Sequence, residues 1–320
     1  MAHDAESRFG TREVRHYDSE SMSDVEHPLE PAPRGEIQRS ISRRLTMIVA
    51  LVLVAMIGAV VWVAETSPSL NGNTSTTIAR TPLYPAGEAD ATEPSGLAPI
   101  NPIAVKGYAE TYVNDFAGDS LPAGWSTFNG IPGGDPTGRF SPAHVTVGTG
   151  LLSINAWKDP AFKDQWVTGG LCLCGKPQTY GAFFVRSRQT GSGPNEVELL
   201  WPLDNSWPPE IDFNETGGQT RFTSATVHWT VADHTIQDHL AINLSQWHTW
   251  GVIWTSRSIE YTVDGRLWAV DNVTDSIPQL PMTLDIEQRT VCDPLSQCPS
   301  RPTSLLVDWV QDFSPLSDAG

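Results

Sequence analysis

The chain lacks the short signatures of several enzyme classes. It has no nucleotide-binding glycine pattern, no Gly-x-Ser-x-Gly elbow and no His-Glu-x-x-His pair. Dinucleotide enzymes, α/β-hydrolases and zincin-type metalloproteases are therefore set aside. Gly-Gly-Asp-Pro-Thr-Gly at 133–138 has no strand-to-helix context and reads as a loop. Basic excess is missing too: 20 Lys and Arg stand against 37 Asp and Glu, a net charge of −17. With no basic patch, a nucleic-acid partner is excluded. Beyond residue 106 no stretch sustains a helical period.

The first 106 residues carry little that would build a core. Residues 1–45 are polar, with seven Lys and Arg against nine Asp and Glu, and read as a disordered cytoplasmic segment. Residues 46–64 form an uncharged apolar run of 19 residues. As a helix it would span about 28 Å, enough for a bilayer core. Arg39, Arg43 and Arg44 precede it and Glu65 follows. The positive-inside rule then keeps the N-terminus in the cytoplasm and exports the rest. A cleaved signal peptide is the alternative; Trp62 fits poorly three residues before a cut after Ala64. Residues 65–106 are rich in Ser, Thr, Pro and Gly and read as an extracytoplasmic tether. That leaves 107–316 as one folded domain and 317–320 as a tail.

Only four cysteines occur, and all lie in that domain: Cys172, Cys174, Cys292 and Cys298. An even number in an exported domain suggests disulfides. Cys292 with Cys298 is the preferred pair. Cys172 with Cys174 would then be a strained bridge, unless both stay reduced; crossed pairs remain open.

The domain itself reads as many short β segments broken by Gly, Pro, Asn and Asp. Hairpins are expected around Gly148-Thr149-Gly150 and at Asp264-Gly265. Such a pattern predicts an all-β sandwich or jelly roll of two antiparallel sheets.

One segment carries the chemistry: Trp207-Pro208-Pro209-Glu210-Ile211-Asp212-Phe213-Asn214-Glu215. Glu210 and Asp212 share a strand face, with Ile211 and Phe213 on the other. Glu215 has the wrong parity for the acid face, and a one-residue bulge near Phe213-Asn214 would restore it. The outer two Cα atoms would then lie roughly 13 Å apart. Side chains leaning inward would close that to about 5 Å, the separation used by retaining glycosidases. Trp201 and Trp207 flank the acids as candidate sugar platforms.

This segment resembles the active-site strand of glycoside hydrolase family 16, the lichenase and laminarinase family, in its bulged form. Gly124-Trp125-Ser126-Thr127-Phe128-Asn129-Gly130, Leu199-Leu200-Trp201-Pro202 and Trp247-His248-Thr249-Trp250 resemble further landmarks, as do Tyr261-Thr262-Val263-Asp264-Gly265 and Leu306-Val307-Asp308-Trp309-Val310. They fall in the family's order over about 200 residues. The resemblance implies curved sheets with the acidic strand in the concave one. It also implies an endo-acting retaining β-glucanase that cleaves β-1,3- or mixed β-1,3/1,4-glucan. Glu210 would be the nucleophile, Glu215 the acid/base and Asp212 an electrostatic partner. Transglycosylation on the same site, or glucan binding without turnover, are the alternatives.

His228 either faces the cleft, against sugar or a catalytic acid, or is structural. Trp201, Trp207 and Trp229 are either platforms or core. Trp250 and Trp254, four apart on one strand, are assigned to the core. No cofactor is required by the resemblance. Asp308 matches a position that helps hold a structural Ca2+ in some relatives. Glu198 would add a fourth negative charge if the face it shares with Leu200 is the cleft. The partners implied are a β-glucan polysaccharide and a membrane reached through one helix; no obligate protein partner is evident.

Overall fold

The computed structural model describes residues 83–86, 105–290, 292 and 298–316. The apolar run 46–64, the segments 1–45 and 65–82, and the tail 317–320 lie outside the described residues. Among the described residues no helix is long and apolar enough to cross a membrane. There is no α-helix among them, only three short 3-10 turns.

Two antiparallel sheets make the fold, a jelly-roll sandwich as the strand pattern predicts. The first sheet has seven strands in the order β11 (His234–Ala241), β10 (Phe222–Trp229), β9 (Glu210–Glu215), β8 (Asn195–Pro202), β15 (Met282–Arg289), β6 (Gly170–Cys172) and β2 (Ser126–Thr127). The second runs β14 (Arg266–Asp271), β13 (Ile259–Val263), β12 (His248–Trp254), β7 (Gly181–Gln189), β16 (Thr303–Pro315), β4 (Leu151–Asp159) and β3 (Val145–Gly148). Two further strands attach to it: β1 (Tyr108–Asn114) on β16 and β5 (Gln165–Val167) on β4. Both expected hairpins are present, β3 to β4 and β13 to β14.

Alternation along each strand builds the core between the sheets. Leu200, Ile211, Phe213, Val227, Leu284 and Ile286 meet Phe183, Val185, Trp250, Val252, Trp254 and Val307, all buried in one cluster. Full burial of each such side chain is worth roughly 1.5–3 kcal/mol. Trp250 and Trp254 are therefore core, as their spacing indicates. Trp254 also finds a partner for its Nε1, the carbonyl of Pro278 at 3.1 Å. The intervening Gly251 is held small by its neighbours: a Cβ there would sit 2.4 Å from the Phe184 ring and from Thr262 Oγ1.

The outer face of the second sheet carries its own apolar cluster, with Ala182, Phe184, Ile253, Trp309 and Phe313 packed with Val105 and against Tyr84 and Tyr108. Leu83–Ala86 lie within the stretch read as a tether, yet they dock on this sheet. The amides of Leu83 and Tyr84 donate to the Gly265 carbonyl at 3.0 and 3.3 Å. Thr249 Oγ1 donates to the Ala86 carbonyl at 2.8 Å. The folded unit thus recruits residues before 107, because Phe184 and Trp309 need covering. Composition hid this, since three apolar residues in a Pro-, Thr- and Gly-rich stretch give no period.

Both short-range disulfides are formed, Cys172–Cys174 and Cys292–Cys298. One expectation is corrected. Glu198 does share the face of Leu200, but that face is the core and not the acid face. Glu196 and Glu198 are fully buried between the sheets, and Gln288 Nε2 donates to Glu196 Oε1 at 2.9 Å. Burial raises Glu196 well above the ordinary carboxylate range and pushes Glu198 up to about 8. Ser187 and Asn214 lie beside Glu198 and favour its charged form only in part.

Candidate active site

Strand β9 starts where it does because Pro208 and Pro209 have no N–H to give a ladder. The Trp207–Pro208 and Pro208–Pro209 peptide bonds are both cis. Glu210 pairs with His228 of β10, and from Ile211 the strand is flanked by β8 as well. Ile211 and Phe213 enter the core, so Glu210 and Asp212 face outward together.

The bulge predicted near Phe213-Asn214 is in the register. Asp212 faces Thr226 and Glu215 faces Ser224, so three residue steps on β9 oppose two on β10. On the β8 side Asp212 faces Leu199 and Asn214 faces Glu198, so Phe213 is the extra residue. One added residue reverses parity beyond it, and Glu215 returns to the face of Glu210 and Asp212.

Each acid has a dedicated partner. Trp207 Nε1 donates to Glu210 Oε2 at 2.7 Å. His228 lies directly across β10 from Glu210. Its Nε2 approaches Asp212 Oδ2 at 3.3 Å, and its Nδ1 meets Asp233 Oδ1 at 2.7 Å. Asn195 Nδ2 donates to Glu215 Oε1 at 3.0 Å, while Asn195 Oδ1 accepts from the Gly217 amide at 2.7 Å. Arg289, opposite Asn195 on the β8–β15 ladder, pairs through Nε with Glu287 Oε1 at 2.9 Å.

Burial sets the electrostatics. Glu210 is 8% exposed and Asp212 2%. Burial, then the Asp212 charge, push Glu210 up to about 8; Arg289, His228 and the Trp207 hydrogen bond oppose this. Asp212 is raised to about 6, again first by burial, against the hydrogen bond from His228. For His228, burial disfavours the cation, but Asp212, Asp233 and Glu210 outweigh it and raise the imidazole to about 9. The face therefore sets a protonated His228 against Asp212 and Glu210, whose ionised forms it favours.

The tryptophans separate. Trp207 is 45% exposed and its ring lies 5.9 Å from that of His228. Trp201 stands on the acid face, two residues from Leu199 and across from Thr283. Trp229 has the opposite parity to His228 and packs edge-on against His234, 5.2 Å between centroids. It is not brought to the acids. Asp308 lies away from them as well, fully buried, with Arg186 Nε donating to its Oδ2 at 3.1 Å. A guanidinium in that contact already neutralises the carboxylate and would repel Ca2+, so the position does not fit a calcium ligand.

Asn195, Asp233, Glu287 and Arg289 were not found from sequence. Their roles arise from strand pairing between distant segments, which leaves no local motif. Only the proximity of Asp233 to His228 in the chain offered a hint.

Residues 140–293 match the model for Glycosyl hydrolases family 16. That stretch contains the whole acidic strand. Endo-1,3-1,4-beta-glycanase ExsH of Rhizobium meliloti (strain 1021) is 27% identical over 202 residues, which cover 58% of this chain and 43% of that protein. EglC, an endo-1,3-1,4-beta-glycanase of the same strain, is 29% identical over 197 residues, 57% of this chain and 42% of its own. The chain thus spans less than half the length of these curated relatives. Among solved structures, the laminarinase from Rhodothermus marinus superposes with a TM-score of 0.60 at 20% identity, covering 66% of this chain and 98% of that one. The laminarinase catalytic domain from Thermotoga petrophila RKU-1 gives 0.58 at 18% identity, covering 65% and 98%. At these identities the structural likeness speaks for the fold.

Proposed function

We propose that the domain is a retaining endo-β-glucanase that cleaves β-1,3- or mixed β-1,3/1,4-glucan by double displacement. The bulge in β9 carries the reading, because it sets Glu215 on the same face as Glu210 with Asp212 between them. The family match over 140–293 and the activities named for the two relatives support the substrate class.

In this reading Glu210, ionised, attacks the anomeric carbon, and Glu215 protonates the departing glycosidic oxygen. Glu215 then takes a proton from water, which displaces Glu210 and regenerates the carboxylate. The Trp207 N–H, the His228 cation and Arg289 favour the ionised Glu210. Asn195 fixes the direction of Glu215. Trp207 and Trp201 flank the acids, where flat rings stack on sugar faces. The two disulfides support an oxidising compartment, in keeping with a domain held outside the cytoplasm by residues 46–64.

The test is reducing-end release by the full chain from laminarin, barley mixed-linkage glucan, cellulose and agarose. Glu210→Ala and Glu215→Gln are run in parallel. Release from a β-1,3-linked glucan, lost in both variants, with the β-anomer formed first, is the expected result. No release from any glucan by the folded wild type would overturn the proposal. An α-anomer formed first would overturn double displacement.

A further inference from the structure

We propose that Glu210, Asp212 and His228 form a binding site for one divalent ion of the zinc class, with Asp233 holding the imidazole in ligating orientation. These three side chains can each offer one atom, and the three atoms lie within 4.8 Å of one another. Two carboxylates and one imidazole make a mixed oxygen and nitrogen set. Three protein ligands with an open fourth position is the arrangement of accessible zinc sites. The set is too small for Ca2+, which takes six to eight oxygens.

Two independent observations point to a ligand. First, His228 is engaged from behind. Asp233 Oδ1 takes its Nδ1 at 2.7 Å and leaves Nε2 directed at the acids. A ligating histidine commonly gives its other ring N–H to a carboxylate in this way, which fixes the tautomer and raises its basicity. Second, Asp212 is 2% exposed, and its Oδ1 is buried without a hydrogen-bond partner among the described residues. The lone pairs of that buried Oδ1 are therefore open to a ligand. On Glu210, Trp207 occupies Oε2 and leaves Oε1 for the ion.

The exchange balances simply. The imidazolium loses its Nε2 proton to solvent, the freed lone pair binds the metal, and both carboxylates bind ionised. Zinc binding itself does not rest on the glycosidase reading. Where that reading holds, the ion occupies the proposed nucleophile, so metal and glucan exclude one another.

The experiment is calorimetric titration of Zn2+ into the metal-stripped full chain, without glucan, with Co2+ absorption as a second readout. Wild type is expected to bind one Zn2+ at this site and to give the visible band of a low-coordinate nitrogen and oxygen Co2+ site. His228→Gln should lose that band and at least tenfold in affinity. Asp233→Asn should weaken binding about 10- to 100-fold. His239→Gln, which changes a histidine outside the cluster, should bind as wild type. Thermal melts establish that each chain is folded, and Asp212→Asn replaces His228→Gln if the latter is not. Equal Zn2+ affinity in wild type and in the folded His228→Gln or Asp212→Asn chain overturns the proposal. So does a folded wild type with neither binding heat nor a Co2+ band. Failure to hydrolyse glucan leaves these readouts untouched.

Discussion

The indole of Trp207 and the carboxylate of Glu210, three residues apart, are joined side chain to side chain, Nε1 donating to Oε2 at 2.7 Å. The bond spans two cis peptide bonds and ties an exposed ring to a buried acid. Trp207→Phe keeps an aromatic surface and removes only the donor. A hydrogen bond to a charged group is worth about 1.5–3 kcal/mol. Turnover on the preferred glucan should fall about 10- to 100-fold, with the melting temperature nearly unchanged. Unaltered kcat would show that the indole N–H does not support Glu210.

Asn195 serves two masters, Glu215 through its amide nitrogen and the Gly217 amide through its oxygen. Asn195→Ala should lower kcat, because Glu215 loses its orientation. It should also lower stability by roughly 1–3 kcal/mol, the effect of a lost partner for a polar group. Asn195→Asp keeps the acceptor for Gly217 but sets a like charge against Glu215, so stability should recover more than activity. Denaturant unfolding and steady-state kinetics on both variants check this split.

Glu198 gives the domain a pH dependence of stability. Its folded-state pKa, about 8, lies above that of an exposed glutamate, through burial. Between the two values the folded state binds the extra proton, so stability falls as pH rises through that interval. Asp312, pushed up to about 8 by burial, acts in the same direction. Melting temperature should drop from pH 5 to pH 8. Glu198→Gln should flatten this slope and be the more stable chain at pH 8. A parallel slope in the variant would remove Glu198 from the account.

Arg186 and Asp308 form a fully buried pair. Removing one charge from such a pair typically destabilises by about 3–5 kcal/mol. Asp308→Ala should show a loss of this order in denaturant unfolding, and Arg186→Met combined with Asp308→Leu should recover much of it. Calcium removal with a chelator should leave the wild-type melt unchanged.

Much of this architecture is visible in the chain because the signals are local. The alternation Glu210-Ile211-Asp212-Phe213 names its own faces, and the parity of Glu215 demands a bulge. The Asp264-Gly265 turn and the Trp250/Trp254 spacing are equally short-range. What is hidden depends on sheet order. Asn195 and Arg289 are 94 positions apart and meet only because β15 pairs with β8. Trp229 is left between platform and core by the sequence, and alternation turns it to the face opposite His228. Glu198 looks like a cleft charge because a carboxylate is not expected between sheets. Gln288 beside Glu196, with Ser187 and Asn214 beside Glu198, makes that layer polar, and of these three only Asn214 lies in the motif.

The docking of Leu83–Ala86 has a consequence for access. These residues lie on the outer face of the nine-stranded sheet, and the acids lie on the outer face of the other. Leu83–Ala86 thus lie on the side of the sandwich away from the acids. A polymer reaching the acids would not meet Leu83–Ala86 on the way. A domain cut at residue 107 would keep the front and lose this cover, leaving Phe184 and Trp309 less shielded from water.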